Sequence, residues 1–455
     1  MPALEPHLTR SKENPVSHRK IAVAMAGSVA LLLSACGGGG GSSSSTSGTP
    51  SASGGSADAG GAAAAPTTLS TKDPARAAAD LVIWSDADRA PIVQKYADQF
   101  GKENGISVAV QIAPDTRQQF KDATKVGKGP DVVVGAHDWL GELVQNSAVA
   151  PVNLSAADQA KFAPSSIAAT KYNGQVYGVP YAIENIGLIR NTALAPEAPK
   201  TMNELLSTGK GLVSSKKATN VLAQQVGKKG DAYFGYPYLS AFEGGGIFGT
   251  KPNGDYDPAK VIVNSPGSVK GGELLGRLGK EKVLSTNVDD KNVAALFESK
   301  KVPYMISGPW AIDGIKKAGI NYEVSPLPTV EGGGAMKPFL GVQMFYVSAK
   351  AKNATFAQEF VTKYVPREDV QMALFTAGNR PPALTSAYDK VAAKNPDVKA
   401  WFEAGKDGKP MPNIPAMNSV WEPLGQALAD IISGQDPKGR LGKAQTEIVA
   451  NIKQG

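Results

Sequence analysis

Cysteine and histidine are almost absent from these 455 residues: the chain has one Cys, Cys36, and three His. His7 and His18 precede Cys36, so beyond it His137 stands alone. With no further thiol and one imidazole, a Cys/His zinc site cannot be assembled, and a serine triad would need that one ring. The phosphate-cradling pattern G-x-x-x-x-G-K-[ST] does not occur. The glycine triplets at 244–246 and 332–334 lack the preceding strand and following helix that such a cradle requires, and read as loops. Blocks of one charge are missing too. Setting aside the first 35 residues removes Arg10, Lys12, Arg19 and Lys20 against Glu5 and Glu13, leaving 44 cations and 39 anions of the full 48 and 41. So mild an excess, with little interleaving of aromatic and basic residues, excludes nucleic acid as the expected partner. What remains for chemistry is carboxylates, hydroxyls and aromatic rings, with no cofactor or metal implied.

No apolar run is long enough to stay in a bilayer. The longest near the N-terminus lies in RKIAVAMAGSVALLLSAC, residues 19–36, where two cations precede a short apolar core and small residues close it. That is the anatomy of a secretory leader, too short for a permanent span. Leu33-Ser34-Ala35-Cys36 resembles the lipobox of bacterial lipoproteins, in which the cysteine thiol is alkylated by diacylglycerol and becomes the first residue. Residues 1–35 are then a signal peptide and Cys36 a lipid anchor. An ordinary signal peptide is the alternative, and it leaves a lone cysteine at the cleavage point unexplained. Residues 37 to about 72 are rich in Gly, Ser and Ala and almost free of side chains that could build a core. They read as a flexible tether with a root-mean-square reach of roughly 35 Å, so that residues 36–79 form an anchored linker.

Globular sequence is expected from Asp80. DLVIW (80–84), ISVAVQI (106–112) and DVVVG (131–135) are short apolar runs rich in β-branched residues. Between them Ile92, Val93, Tyr96, Ala97 and Phe100 recur at helical spacing, and 120–126 suggests a second helix. Strand and helix in alternation predict an α/β fold with a parallel sheet, whose ligands bind beyond the carboxyl ends of the strands. Those ends are Trp84-Ser85-Asp86-Ala87-Asp88-Arg89 and Gly135-Ala136-His137-Asp138-Trp139, both carrying carboxylates and a tryptophan.

GPDVVVGAHDWLG (129–141), KYNGQVYGVPYAIENIGLIRN (171–191), VPYMISGPW (302–310) and MPNIPAMNSVW (411–421) resemble the corresponding segments of maltose/maltodextrin-binding proteins. These are the sugar-capturing components of ABC importers. The resemblance runs in order from about Asp80 to the C-terminus. It implies a two-lobed periplasmic-binding-protein-like fold with hinged lobes and a central ligand cleft. Lobe one would take 80–182 and 344–390, and lobe two 187–339 and 397–455. The crossings would fall near 183–186, 340–343 and 391–396, and hinge closure would bury the sugar.

A pyranose ring has C–H groups on its faces and hydroxyls on its rim, so a site for it sets aromatic planes against the faces and charged hydrogen-bonding groups around the rim. By resemblance, Asp88, Asp138 and Glu184 fall where the family places hydroxyl-binding carboxylates, with Arg89 at a usual lysine position and Asp86 in the same loop. Tyr233, Trp310 and Trp421 fall where it stacks aromatics on glucose, and Met411 packs beneath the sugar. Each residue also has a bland reading. Asp88 could be a helix N-cap, Trp310 could be core, and His137 is read as structural. Glu184 lies between two apolar strands, where an unpaired carboxylate would be costly, which favours a binding role. The chain departs from the family at Gly135 (usually Trp), Trp139 (Arg), Asp231 (Glu), Glu422 (Tyr) and Gly425 (Arg). Trp139 is therefore expected to restore an aromatic surface lost at Gly135.

The resemblance implies a monomer, not an enzyme, that holds a malto-oligosaccharide outside the membrane, closes on it and presents it to the ABC permease subunits. Two other classes fit parts of the sequence. A glycoside hydrolase could draw an acid and base pair from Asp88, Asp138, Glu184 and Asp231. A binding protein of the same architecture could take trehalose or a cyclic glucan.

Overall fold

The computed structural model describes residues 65–70, 75–252 and 254–454; the leader, Cys36 and most of the tether lie outside them. Leu81–Ser85 is buried at every position, the signature of a central strand covered on both faces. It pairs in parallel with Val108–Ile112 on one side and Val132–Ala136 on the other. Helix Ala90–Asn104 connects the first two, with Pro91 in its opening turn and Val93, Tyr96, Ala97 and Phe100 turned into the core. Helix Thr116–Lys125 makes the next crossover. The long strand Phe339–Ser348 then lies antiparallel between Val132–Ala136 and Gly178–Glu184, extending the sheet with residues from far along the chain.

A second sheet runs in the order Leu222–Gln224, Tyr304–Ser307, Gly187–Asn191, Tyr322–Ser325. Each sheet has its own apolar core. Leu81, Phe100, Val132, Phe345 and Phe360 belong to one, and Leu188, Leu205, Tyr238, Leu275, Ile306 and Leu424 to the other. The fold is therefore two α/β lobes. The chain passes between the sheets through Asn185 and Ile186, the two residues separating Gly178–Glu184 from Gly187–Asn191. Phe339 sits in the second core while Phe345 and Val347 of the same strand sit in the first. Among the described residues no helix is long and apolar enough to cross a membrane.

The expectation that the folded body starts at Asp80 is corrected. Thr67–Thr68 pairs in parallel with Gln111 and Ile112 as an edge strand, and Leu69 beside it is only 7 % exposed. Arg76 reaches the buried Asp131 carboxylate at 2.5 Å and donates to the Ala79 carbonyl. Edge pairing draws mainly on backbone groups, so two β-branched threonines and one leucine suffice where a count of apolar residues shows too little to notice.

His137 joins three chain segments. The Val342 N–H donates to its Nδ1 at 3.0 Å, so Nε2 carries the proton and donates to the Met411 carbonyl, also at 3.0 Å. Burial holds its pKa below the ordinary histidine value, against the opposing pull of Asp138 and Glu184. Because the folded state resists the proton that the unfolded chain accepts near pH 6.5, stability is complete above that pH. It declines on acidification at up to about 1.4 kcal/mol per pH unit until the lowered folded value is reached. The melting temperature of the parent should therefore fall between about pH 6.5 and 5 more steeply than that of His137→Gln, and parallel curves would refute this role.

Candidate functional site

The carboxyl ends of the first sheet's strands carry the first group of candidate residues. Asp86 follows Leu81–Ser85 and turns the chain into helix Ala90–Asn104: its Oδ1 accepts from the Asp88 and Arg89 backbone N–H groups at 3.0 and 3.1 Å. The helix start is thus organised by Asp86, not by Asp88, whose side chain is exposed. The cap reading of Asp88 fails because, of the residues two and three on, Ala90 gives its N–H to the Asp86 carbonyl and Pro91 has none. Asp86 Oδ2 also holds Arg89 Nη1 at 2.6 Å, and the Arg89 guanidinium lies 5.5 Å from the centre of the buried Tyr181 ring.

Glu184, at the end of Gly178–Glu184, is buried and held at both oxygens. Gln343 Nε2 donates to Oε1 at 2.6 Å and Arg380 Nε to Oε2 at 2.5 Å. Burial pushes its pKa up, but the Arg380 charge, the Gln343 hydrogen bond and the Arg89 charge outweigh that and hold it below the usual glutamate value. Asp138 has weaker support, with Arg117 Nη1 at 3.8 Å, and burial pushes its pKa above the usual aspartate value. Arg117 in turn binds Glu142 at 2.7 Å, which Lys121 also reaches.

Aromatic rings come mainly from the second lobe. Tyr233, Trp310 and Trp421 are all partly exposed and pack on its core, and Met411 is buried within it. Phe339 joins them: it stacks face to face on Tyr236 at 3.6 Å, lies nearly parallel to Tyr233 at 6.3 Å and meets Trp421 edge-on at 6.4 Å. Two tryptophans rest on glycine backbone. A Cβ built on Gly135 would fall 2.0 Å from Trp139 Cζ3, and one on Gly308 would fall 2.2 Å from Trp310 Cζ3. The Trp139 ring thus fills the place that a side chain at 135 would take.

These elements converge. Tyr233 feels the charges of Glu184, Asp231, Arg380 and Asp138, and burial first, then those carboxylates, drive its pKa well up. The cations are matched by carboxylates in pairs, Arg89 with Asp86, Arg117 with Asp138 and Glu142, and Arg380 with Glu184, so the site suits an uncharged ligand. Several buried polar atoms have no hydrogen-bond partner among the described residues: the Tyr181 and Tyr233 hydroxyls, Arg89 Nε, Arg380 Nη1 and Trp421 Nε1. Leaving such a group unsatisfied costs about 1–3 kcal/mol, which a ligand rich in hydroxyls would relieve. Asp231 already has bonds at both oxygens, capping helix Ala232–Ser240 through the Phe234 N–H at 3.0 Å and accepting from Gln225 Nε2 at 2.8 Å. Among the described residues no cluster of His, Cys, Asp and Glu is placed to hold a metal. Arg380, Gln343, Tyr181, Arg117 and Phe339 escape sequence reasoning, since each reaches the site only through strand pairing or long-range contact.

Residues 95–403 match the family model for bacterial extracellular solute-binding proteins. The galactooligosaccharide-binding protein of Bacillus subtilis is 29 % identical over 399 residues, spanning 85 % of this chain and 93 % of its own. The maltotriose-binding protein of Pyrococcus abyssi is 26 % identical over 397 residues, 84 % of each chain. A maltooligosaccharide ABC transporter solute-binding lipoprotein of Streptococcus pneumoniae is 29 % identical over 388 residues, 82 % of this chain and 89 % of its own.

The two carboxylates are shifted in opposite directions by their surroundings. Asp138 takes up its proton at higher pH than an ordinary aspartate, and Glu184 keeps its charge to lower pH than an ordinary glutamate. A carboxyl-carbon NMR titration should show a signal titrating above the ordinary aspartate value that vanishes in Asp138→Asn, and one titrating below the ordinary glutamate value that vanishes in Glu184→Gln. An Asp138 signal below the ordinary aspartate value, or a Glu184 signal above the ordinary glutamate value, would contradict the arrangement.

Proposed function

The chain belongs to the bacterial extracellular solute-binding proteins, and from that premise we propose that it captures α-linked glucose oligosaccharides outside the membrane and delivers them to an ABC permease. The observation that carries this reading is the pairing of partly exposed aromatic planes with carboxylate–arginine pairs around unpartnered buried donors. Aromatic faces suit the C–H faces of a pyranose, and charged groups suit its rim. Asp86, Asp88, Arg89, Asp138, Trp139, Glu184, Asp231, Tyr233, Trp310, Met411 and Trp421 are the proposed ligand-side residues. Asp88 belongs at the outer edge and Met411 beneath the site. Two of the relatives are named for maltotriose and maltooligosaccharide.

The lobes are proposed to comprise 80–182 with 344–390 and 187–339 with 397–455, the chain crossing at 183–186, 340–343 and 391–396, with the edge strand Thr67–Thr68 added to the first. Closure around the sugar follows if the sugar binds the closed arrangement better than the open one. The body is proposed to act as a monomer held outside the membrane by a lipid on Cys36. No bond need be made or broken in this cycle. Asp138 and Glu184 have the divergent ionisation that a glycosidase needs, but Arg380 and Gln343 hold both Glu184 oxygens, which favours a hydroxyl acceptor over a group acting on water.

Calorimetric titration of residues 65–455 should give saturable binding with maltotriose and maltotetraose, and no shorter products should appear on prolonged incubation with maltotetraose. Heat with a galactooligosaccharide, trehalose or a cyclodextrin but none with maltodextrins would replace the ligand, and product formation would replace the function. Trp310→Ala should weaken binding by about 1–3 kcal/mol, the scale of one lost aromatic contact. Gly135→Ala places a methyl in the space of the Trp139 ring, and should weaken binding about as much as Trp139→Ala; parent-like affinity in both variants would remove Trp139 from the site.

A further inference from the structure

We propose that Arg380 reads the hydroxyls of the sugar ring lying on Trp310, as the donor half of a donor–acceptor pair whose acceptor is Glu184. The inference rests on the reading of the cleft as a sugar site and adds to it a residue that chain order gives no reason to place there.

The backbone around Arg380 is fixed. The Ile183 N–H donates to the Pro381 carbonyl and the Ala383 N–H to the Tyr181 carbonyl, each at 2.9 Å, so residues 381–383 run along the edge of Gly178–Glu184. That pairing sets Arg380 beside Glu184, the last residue of the strand. Next to it, Asn379 Nδ2 donates to Asp313 Oδ1 at 2.9 Å, which ties the segment to the helix following Trp310. The Arg380 side chain is only 11 % exposed. Its Nε is spent on Glu184 Oε2, and its Nη1 is buried with no partner among the described residues.

The guanidinium carbon lies 5.5 Å from the centre of the Trp310 ring. Close stacking brings planes to about 3.5–4 Å contact, so at 5.5 Å the guanidinium is within charge–ring reach of the indole without being tightly stacked on it. A pyranose seated there turns its rim towards Nη1 and towards the lone pairs of Glu184 that remain after Gln343 and Arg380 are served. Adjacent hydroxyls, one accepting from the guanidinium and one donating to the carboxylate, match that pair. A guanidinium is a planar fork, so engaging Nε with Glu184 fixes where Nη1 points, which a lysine ammonium cannot reproduce.

The test is a double cycle between protein and ligand. Parent, Arg380→Lys and Arg380→Met are titrated with maltotriose and with monodeoxy maltotrioses lacking one hydroxyl at a time, with melting temperatures alongside. Arg380→Lys keeps a cation beside Glu184 and should melt near the parent, yet bind maltotriose at least 10-fold more weakly. At least one deoxy sugar should lose affinity for the parent and lose little more for Arg380→Lys. Parent-like affinity in both variants overturns the proposal. So does an equal loss for every deoxy sugar in Arg380→Lys, which would make Arg380 a support for Glu184 alone. A parent that binds no sugar at all removes the sugar-site reading itself, an outcome distinct from either.

Discussion

The backbone pairing of Phe339–Ser348 is the constraint on which the rest of the molecule depends. On one side this strand pairs with Val132–Ala136 and on the other with Gly178–Glu184, and its first residue is sunk in the opposite core against Tyr236. Several positions along it have separate duties. Phe339 backs the aromatic group, Val342 fixes the His137 tautomer, Gln343 holds Glu184, and Phe345 and Val347 fill the first core. A slip of one residue would exchange the two faces of the strand and dismantle all of these together.

The charged side chains of the site follow a second constraint. Removing a carboxylate or a guanidinium from water costs several kcal/mol, and a pair recovers that cost only when its hydrogen bonds are well made. Glu184 meets this condition with Arg380 and Gln343, whereas Asp138, with Arg117 at 3.8 Å, meets it poorly and answers by raising its pKa. The site is thus uneven by construction. One carboxylate is held at both oxygens, and the other is held less tightly.

The parallel core of the first lobe was legible because its strands are unbroken apolar runs and the helix between them repeats at 3.6 residues; residues 81–85, 108–112 and 132–136 pair as those patterns require. His137, flanked by Ala136 and Asp138, was legible as structural, although its two partners were not. Arg380 was illegible for a plain reason: it lies 196 residues from Glu184, and nothing local in Gly378-Asn379-Arg380-Pro381 says which strand edge the segment will join. Phe339 reads as an ordinary strand residue until Tyr236 and Trp421 are seen around it. Thr67–Thr68 was missed because composition cannot register a short edge strand inside a Gly/Ser/Ala-rich region. The Asp86 cap was open to reading from its spacing to Ala90, but two nearby aspartates competed for it.

The five tryptophans divide into two optical populations. Trp84 is sealed at 0 % exposure with its Nε1 bonded to Gln111, and Trp401 is 1 % exposed. Trp139, Trp310 and Trp421 are only partly buried. A water-borne quencher such as iodide therefore reaches the second population and spares the first. The light that survives quenching comes from the cores and serves as an internal reference, while the part that is lost reports on the cleft without any attached dye.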